Sequence, residues 1–133
     1  MAQYKTFSTM VDEKNKSNPN APNVPNVIHV KSLQHRVDLI NNNKVVIVYY
    51  HAEWCGPCKT FAPEFNDLAQ KYLNKGVLFL KEDVDNAYET PVNITGVPCF
   101  HFYHRTNFQN KMTVTGVDKF AIETNLNSLR DIN

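Results

Sequence analysis

Six residues in a row, Val45-Val46-Ile47-Val48-Tyr49-Tyr50, are apolar or aromatic and favour extended backbone. Side chains of a strand alternate between its two faces, so a run that is apolar at every position needs cover on both. This segment is therefore expected to be the central strand of an α/β sheet with helices above and below.

The flanking patterns agree. Val27–Lys31 suits a short strand, and Ser32 can cap a helix carrying Leu33, Val37 and Ile40 on one face, ended by Asn41-Asn42-Asn43. After Cys55, the positions Phe61, Phe65, Leu68 and Tyr72 fall at helical spacing, with Pro63 expected to kink the helix. Gly76 leads into a strand from Val77 to Val84, and a short irregular or helical piece spans Asn86–Ile94. Cys99–His104 and Lys111–Thr115 read as a hairpin turning around Thr106–Asn110, with His101 and His104 facing the surface. Asp118 can cap a last helix bearing Ile122, Leu126 and Leu129. The expected order is β-α-β-α-β-(α)-β-β-α over residues 27–133, without internal repeat. Residues 1–26 are rich in Asn, Lys and Pro, lack apolar periodicity, and read as an extended or flexible N-terminal arm.

Length and charge narrow the function. A chain of 133 residues is about one domain, and 14 basic against 13 acidic side chains leave a net charge of +1. That balance gives no reason to expect a nucleic acid or an anionic membrane as partner. No apolar run approaches the roughly 18 residues of a membrane span. Residues 1–26 also lack the apolar core of a signal peptide, so a cytoplasmic location is expected, or an organelle or secretory-route compartment if a presequence precedes Met1. The patterns Asn15-Lys16-Ser17 and Asn93-Ile94-Thr95 match glycosylation acceptors, which matter only on the secretory route.

The chemistry concentrates in Ala52-Glu53-Trp54-Cys55-Gly56-Pro57-Cys58-Lys59. A Cys-x-x-C at a strand-to-helix turn places its first sulfur among unpaired amide donors at the positive end of a helix. Such cysteines drop from about 8.5 toward ~7 or lower, which makes the thiolate available. Gly56 permits the turn and Pro57 suits the first helical turn, where a missing amide hydrogen is tolerated. Two intervening residues let the sulfurs approach to disulfide distance. With three cysteines in all (Cys55, Cys58, Cys99) and no second Cys-x-x-C, a structural zinc site is disfavoured and no metal site is expected.

Trp54-Cys55-Gly56-Pro57-Cys58 matches the active-site motif of the thioredoxin family residue for residue. The resemblance extends through Ala52, Glu53, Lys59, Pro63, Asp85, Gly96-Val97-Pro98 and Gly116, roughly residues 27–130. It implies a thioredoxin fold, with a central mixed sheet of about five strands flanked by about four helices. It implies a protein-disulfide reductase in which Cys55 attacks and Cys58 resolves, serving cell redox homeostasis and electron transport. It also implies a cis peptide bond before Pro98, pairing of Val97 with the target chain, and a contact surface shaped by Trp54, Gly96, Pro98 and the adjoining Cys99. No bound cofactor is implied; electrons would come from NADPH through a thioredoxin reductase, and disulfide-containing proteins would be the substrates. Pro57 between the cysteines goes with a reducing potential, about −270 mV for thioredoxins at large.

The chain departs from the family at several positions. Tyr49 occupies the place of a buried aspartate that helps deprotonate the second cysteine, and a phenol with pKa near 10 is a poor base. His51 replaces an aromatic residue, while Lys81 matches the lysine that accompanies the aspartate. Resolution by Cys58 is accordingly expected to be slow, with His51 or Glu82 as substitute bases. Cys99 replaces a threonine and is expected to bring a third thiol beside the pair, open to an alternative disulfide, to glutathione, to a soft metal held with Cys55 and Cys58, or to a metal or iron–sulfur group held with Cys55. These changes and the arm also allow a second function: a thioredoxin-like docking subunit of a larger complex with weak or specialised redox activity.

Overall fold

The computed structural model describes residues 27–86 and 94–132. The elements are β1 (Val27–His29), α1 (Leu33–Asn41), β2 (Val45–His51), α2 (Gly56–Lys71), β3 (Val77–Asp83), β4 (Cys99–His104), β5 (Asn107–Phe108), β6 (Val114–Thr115) and α3 (Lys119–Arg130). Short 3-10 turns occupy Val84–Asn86 and Asn110–Met112. One mixed sheet runs β1-β3-β2-β4-β5, with β6 also on β4. β1, β3 and β2 are parallel, and β4 is antiparallel to β2, β5 and β6.

β2 is central, as its unbroken apolar run demands, and its faces separate two cores. Val45, Ile47 and Tyr49 join Phe61, Phe65 and Leu68 of α2 and Ile122, Leu126 and Leu129 of α3. Val46, Val48 and Tyr50 join Ile28, Leu80, Cys99 and Ile40 of α1. Each large apolar side chain so buried contributes roughly 1.5–3 kcal/mol relative to exposure. Ser32 and Asp118 cap α1 and α3 as expected, accepting from the amides of His35 and Ala121 at 3.0 Å each.

Several details differ from the sequence reading. α1 buries Arg36 and Ile40 and leaves Leu33 and Val37 exposed, because Arg36 reaches a buried carboxylate on β3. The hairpin after β4 turns at Arg105-Thr106, with φ of 47° and 76°, and forms the additional short strand β5; the expected strand 111–115 shrinks to Val114–Thr115. His101 and His104 are buried rather than surface-facing, because β4, like β2, is covered on both sides. The His101 ring packs 5.1 Å from Tyr50 and 4.8 Å from Phe108. Three α-helices are present among the described residues; most of the expected fourth helical piece, and the N-terminal arm, lie outside them.

Candidate active site

β2 and β3 are parallel neighbours, so their C-terminal ends open on the same edge of the sheet, and α2 starts there. Cys55 is the N-cap of α2: its Sγ accepts from the Cys58 amide at 3.2 Å, and its carbonyl accepts from Lys59 at 3.2 Å. The expected helix entrance is therefore where the first sulfur sits. Cys55 and Cys58 are joined as a disulfide, with Cα atoms 5.3 Å apart. Gly56 and Pro57 are exposed in the first turn of α2, whereas Cys58 is buried. The Val97–Pro98 bond is cis, and the Val97 carbonyl lies 3.6 Å from Cys55 Sγ. Gly96 is exposed and Val97 half-buried beside it. Trp54 is 69% exposed, and its Nε1 donates to Asp85 Oδ2 at 2.7 Å, which fixes the indole over the end of β3.

On the inner side of the disulfide, Tyr49, His51, Ala52, Glu53, Cys58, Lys59, Ala62 and Lys81 line a cleft of about 400 Å³. The Tyr49 hydroxyl donates to the Cys58 carbonyl at 2.7 Å, and its ring stacks on Phe100 at 4.9 Å. Burial pushes the Tyr49 phenol up to about 12. Burial, then the Lys81 charge, pull the His51 imidazole down to about 4. The Lys81 ammonium stands 5.8 Å over the Tyr49 ring.

Two expectations are corrected here. Glu82 points to the other face of the sheet, where both carboxylate oxygens accept from Arg36 Nη1 at 2.7 and 2.9 Å, so it cannot serve as a base for Cys58. Cys99 is fully buried on that same face, with its Sγ 3.9 Å from Thr115 Oγ1 and its thiol pushed up by burial. It is therefore no third thiol beside the pair and offers no exposed side chain to a substrate. A one-residue step along β4 reverses the face, and the sequence reading located Cys99 by adjacency to Pro98 alone. Among the described residues, no three His, Cys, Asp or Glu side chains gather as a metal-binding group.

The sequence reading missed the buried Arg36–Glu82 pair, which joins α1 to β3 across 46 residues of chain. It also missed the exposed apolar residues Val117 and Phe120 beyond Gly116, although Phe120 falls off the apolar face of its helix.

The model of the family described as Thioredoxin matches residues 26–128, well over half of the chain. The chain belongs to the thioredoxin family. It is 37% identical over 87 residues to thioredoxin 1 of Plasmodium falciparum, covering 64% of this chain and 80% of that protein. It is 35% identical over 89 residues to human thioredoxin, covering 65% and 81%. The solved structure of Plasmodium falciparum thioredoxin superposes with a TM-score of 0.67 at 32% identity, over 75% of this chain and 96% of that one. This chain is a thiol–disulfide oxidoreductase, a protein-disulfide reductase whose redox centre is the Cys55–Cys58 pair. Thioredoxins need no bound cofactor and act on disulfide-containing proteins.

Proposed function

We propose that Cys55 is the attacking sulfur and Cys58 the resolving one, and that a thioredoxin reductase returns the pair to the dithiol with electrons from NADPH. The observation that carries the assignment is the N-cap position of Cys55, where the amide of Cys58 and the positive end of α2 favour negative charge on the sulfur. Cys55 Sγ attacks a substrate disulfide; one Cys55–substrate bond forms, the substrate S–S bond breaks, and the released thiolate takes up a proton. Cys58 then loses its proton and attacks Cys55 Sγ, closing the intramolecular disulfide and releasing the second substrate thiol. Two electrons pass from the dithiol to the substrate.

Val97, at the cis bond and 3.6 Å from Cys55 Sγ, supports backbone pairing with the substrate chain, and exposed Trp54 and Gly96 support contact on either side of the sulfur. The Cys58 proton leaves into the cleft lined by His51 and Lys81, because Tyr49 is a donor and Glu82 faces away. Insulin reduction tests the scheme, driven first by dithiothreitol and then by NADPH with thioredoxin reductase. Wild type is expected to turn over in both and Cys55→Ser in neither; activity surviving that substitution removes Cys55 as nucleophile.

A further inference from the structure

The hairpin at the end of the sheet away from the disulfide is built against its own local preferences. Two residues, Arg105 and Thr106, join β4 to β5, with His104 paired to Asn107 across the turn and φ of 47° and 76° between them. Positive φ at both positions of a two-residue hairpin favours Asn-Gly, and a β-branched threonine there is an outlier. Charge adds a second local cost. Val45 pairs with His104 in the antiparallel ladder of β2 and β4, and one step further the Arg105 amide donates to the Lys44 carbonyl at 2.8 Å. Lys44 and Arg105 therefore stand opposite each other at the end of the ladder, where like charges are unfavourable.

No acid at this place relieves them. The two side chains share a groove of about 360 Å³ with Asn41, Asn42, Asn43 and Thr106, and its walls carry no carboxylate. Among the described residues, the exposed Arg105 guanidinium makes no hydrogen bond or ion pair. Lys44 Nζ donates to the Arg130 carbonyl at 3.4 Å, and Arg130 Nε donates to the Lys75 carbonyl at 3.2 Å. Lys44, Lys75, Arg105 and Arg130 thus gather at one end of a chain whose net charge is only +1. Asp131, next to Arg130, lies outside the groove. The side-chain amides of Asn42 and Asn43 donate to the Asp38 and Leu39 carbonyls at 2.8 and 2.7 Å, which leaves their oxygens as acceptors.

We propose that this groove is an anion site for a diphosphate group, with the planar fork of Arg105 on one phosphate and the Lys44 ammonium on the other. Side chains facing each other across an antiparallel ladder start roughly 5 Å apart, a spacing that two linked phosphates bridge. The bound anion offsets the repulsion between the facing cations. β2 separates the groove from the disulfide by its seven residues, roughly 20 Å, so the site is independent of which sulfur attacks.

The test titrates the full-length oxidised protein with inorganic pyrophosphate, inorganic phosphate and ADP, followed by calorimetry and backbone amide NMR. Pyrophosphate is expected to bind at least tenfold more tightly than phosphate, to shift the amides of Lys44, Arg105 and Thr106, and to weaken with added salt. ADP binding more tightly than pyrophosphate supports an organic diphosphate whose hydroxyls reach the asparagine oxygens, and equal affinity supports free diphosphate. Arg105→Asn is expected to lower pyrophosphate affinity at least tenfold and to raise the urea unfolding midpoint, because Asn tolerates positive φ and removes one of the facing charges. Lys44→Gln is expected to lower the affinity as well, whereas Lys111→Gln, on the turn before β6, leaves it alone. Insulin reduction by Arg105→Asn is expected to match wild type. Pyrophosphate binding equal in wild type and Arg105→Asn, or no tighter than phosphate, marks an adventitious ion only and overturns the inference. A lower unfolding midpoint in Arg105→Asn overturns it too, as does a single-stranded oligonucleotide that binds more tightly than ADP.

Discussion

The Tyr49 hydroxyl donates to the Cys58 backbone carbonyl at 2.7 Å, tying the central strand to the first turn of the disulfide helix. The ring is packed between Phe65 and Phe100, at 4.6 and 4.9 Å, so the side chain is both a core residue and a tether. Burial that lifts its phenol to about 12 keeps the proton on the oxygen at neutral pH. Tyr49 is thus a positioning residue for Cys58 and not its base.

Substitutions at this position separate the two roles. Tyr49→Phe is expected to keep the ring and lose about 1 kcal/mol, read by urea unfolding of the oxidised protein. Tyr49→Asp loses the ring, with a larger drop in stability of about 3–5 kcal/mol by analogy with other aromatic truncations. It also supplies a carboxylate beside Cys58, and its mixed disulfide is expected to decay faster at pH 7. An unchanged decay rate means that proton removal from Cys58 does not limit resolution.

Cys58→Ser removes the resolving sulfur while leaving Cys55 at the helix entrance. Mixing the reduced variant with a disulfide-containing protein should accumulate a covalent adduct, released by dithiothreitol and mapped by mass spectrometry to Cys55. An adduct on Cys99 would contradict its burial on the opposite face.

His51 makes stability depend on pH. Its folded value, about 4, lies below the ordinary 6.5, so between those values the unfolded chain binds more protons than the folded one. Its contribution is fully present above pH 6.5 and is lost as pH falls toward 4. Carboxylates titrate in the same range, so the measurement is a difference: midpoints of urea unfolding for the oxidised wild type and His51→Phe at several pH values. The variant should show the shallower fall from pH 6.5 to 4; parallel curves would show that the imidazole does not titrate as described.

The buried pair of Arg36 and Glu82 should show strong coupling. Removing one partner, as in Arg36→Met or Glu82→Leu, leaves the other charge buried and is expected to lower stability by about 3–5 kcal/mol. The double substitution should recover much of that loss, because two apolar groups of similar size replace both charges. A double-mutant cycle from denaturant unfolding measures it, and additive losses would mean that the two charges are not coupled.

Local patterning determined much of this protein. The alternation rule made an all-apolar β2 central, helical spacing placed Phe61, Phe65, Leu68 and Tyr72 in the core, Ser32 and Asp118 marked helix starts, and Cys-Gly-Pro-Cys at a strand end fixed both the redox centre and which sulfur caps the helix. These features depend on neighbours a few residues apart. Pairing across the chain decided the rest. Whether Cys99, Glu82 and His101 face the disulfide, the opposite core or water depends on strand register and on which helix covers which face, and a single residue step inverts the answer. The turn of α1 toward Arg36, the Tyr49 tether and the tie of Gly116 to the cis-proline turn likewise arise from contacts between separate elements, which no local pattern encodes.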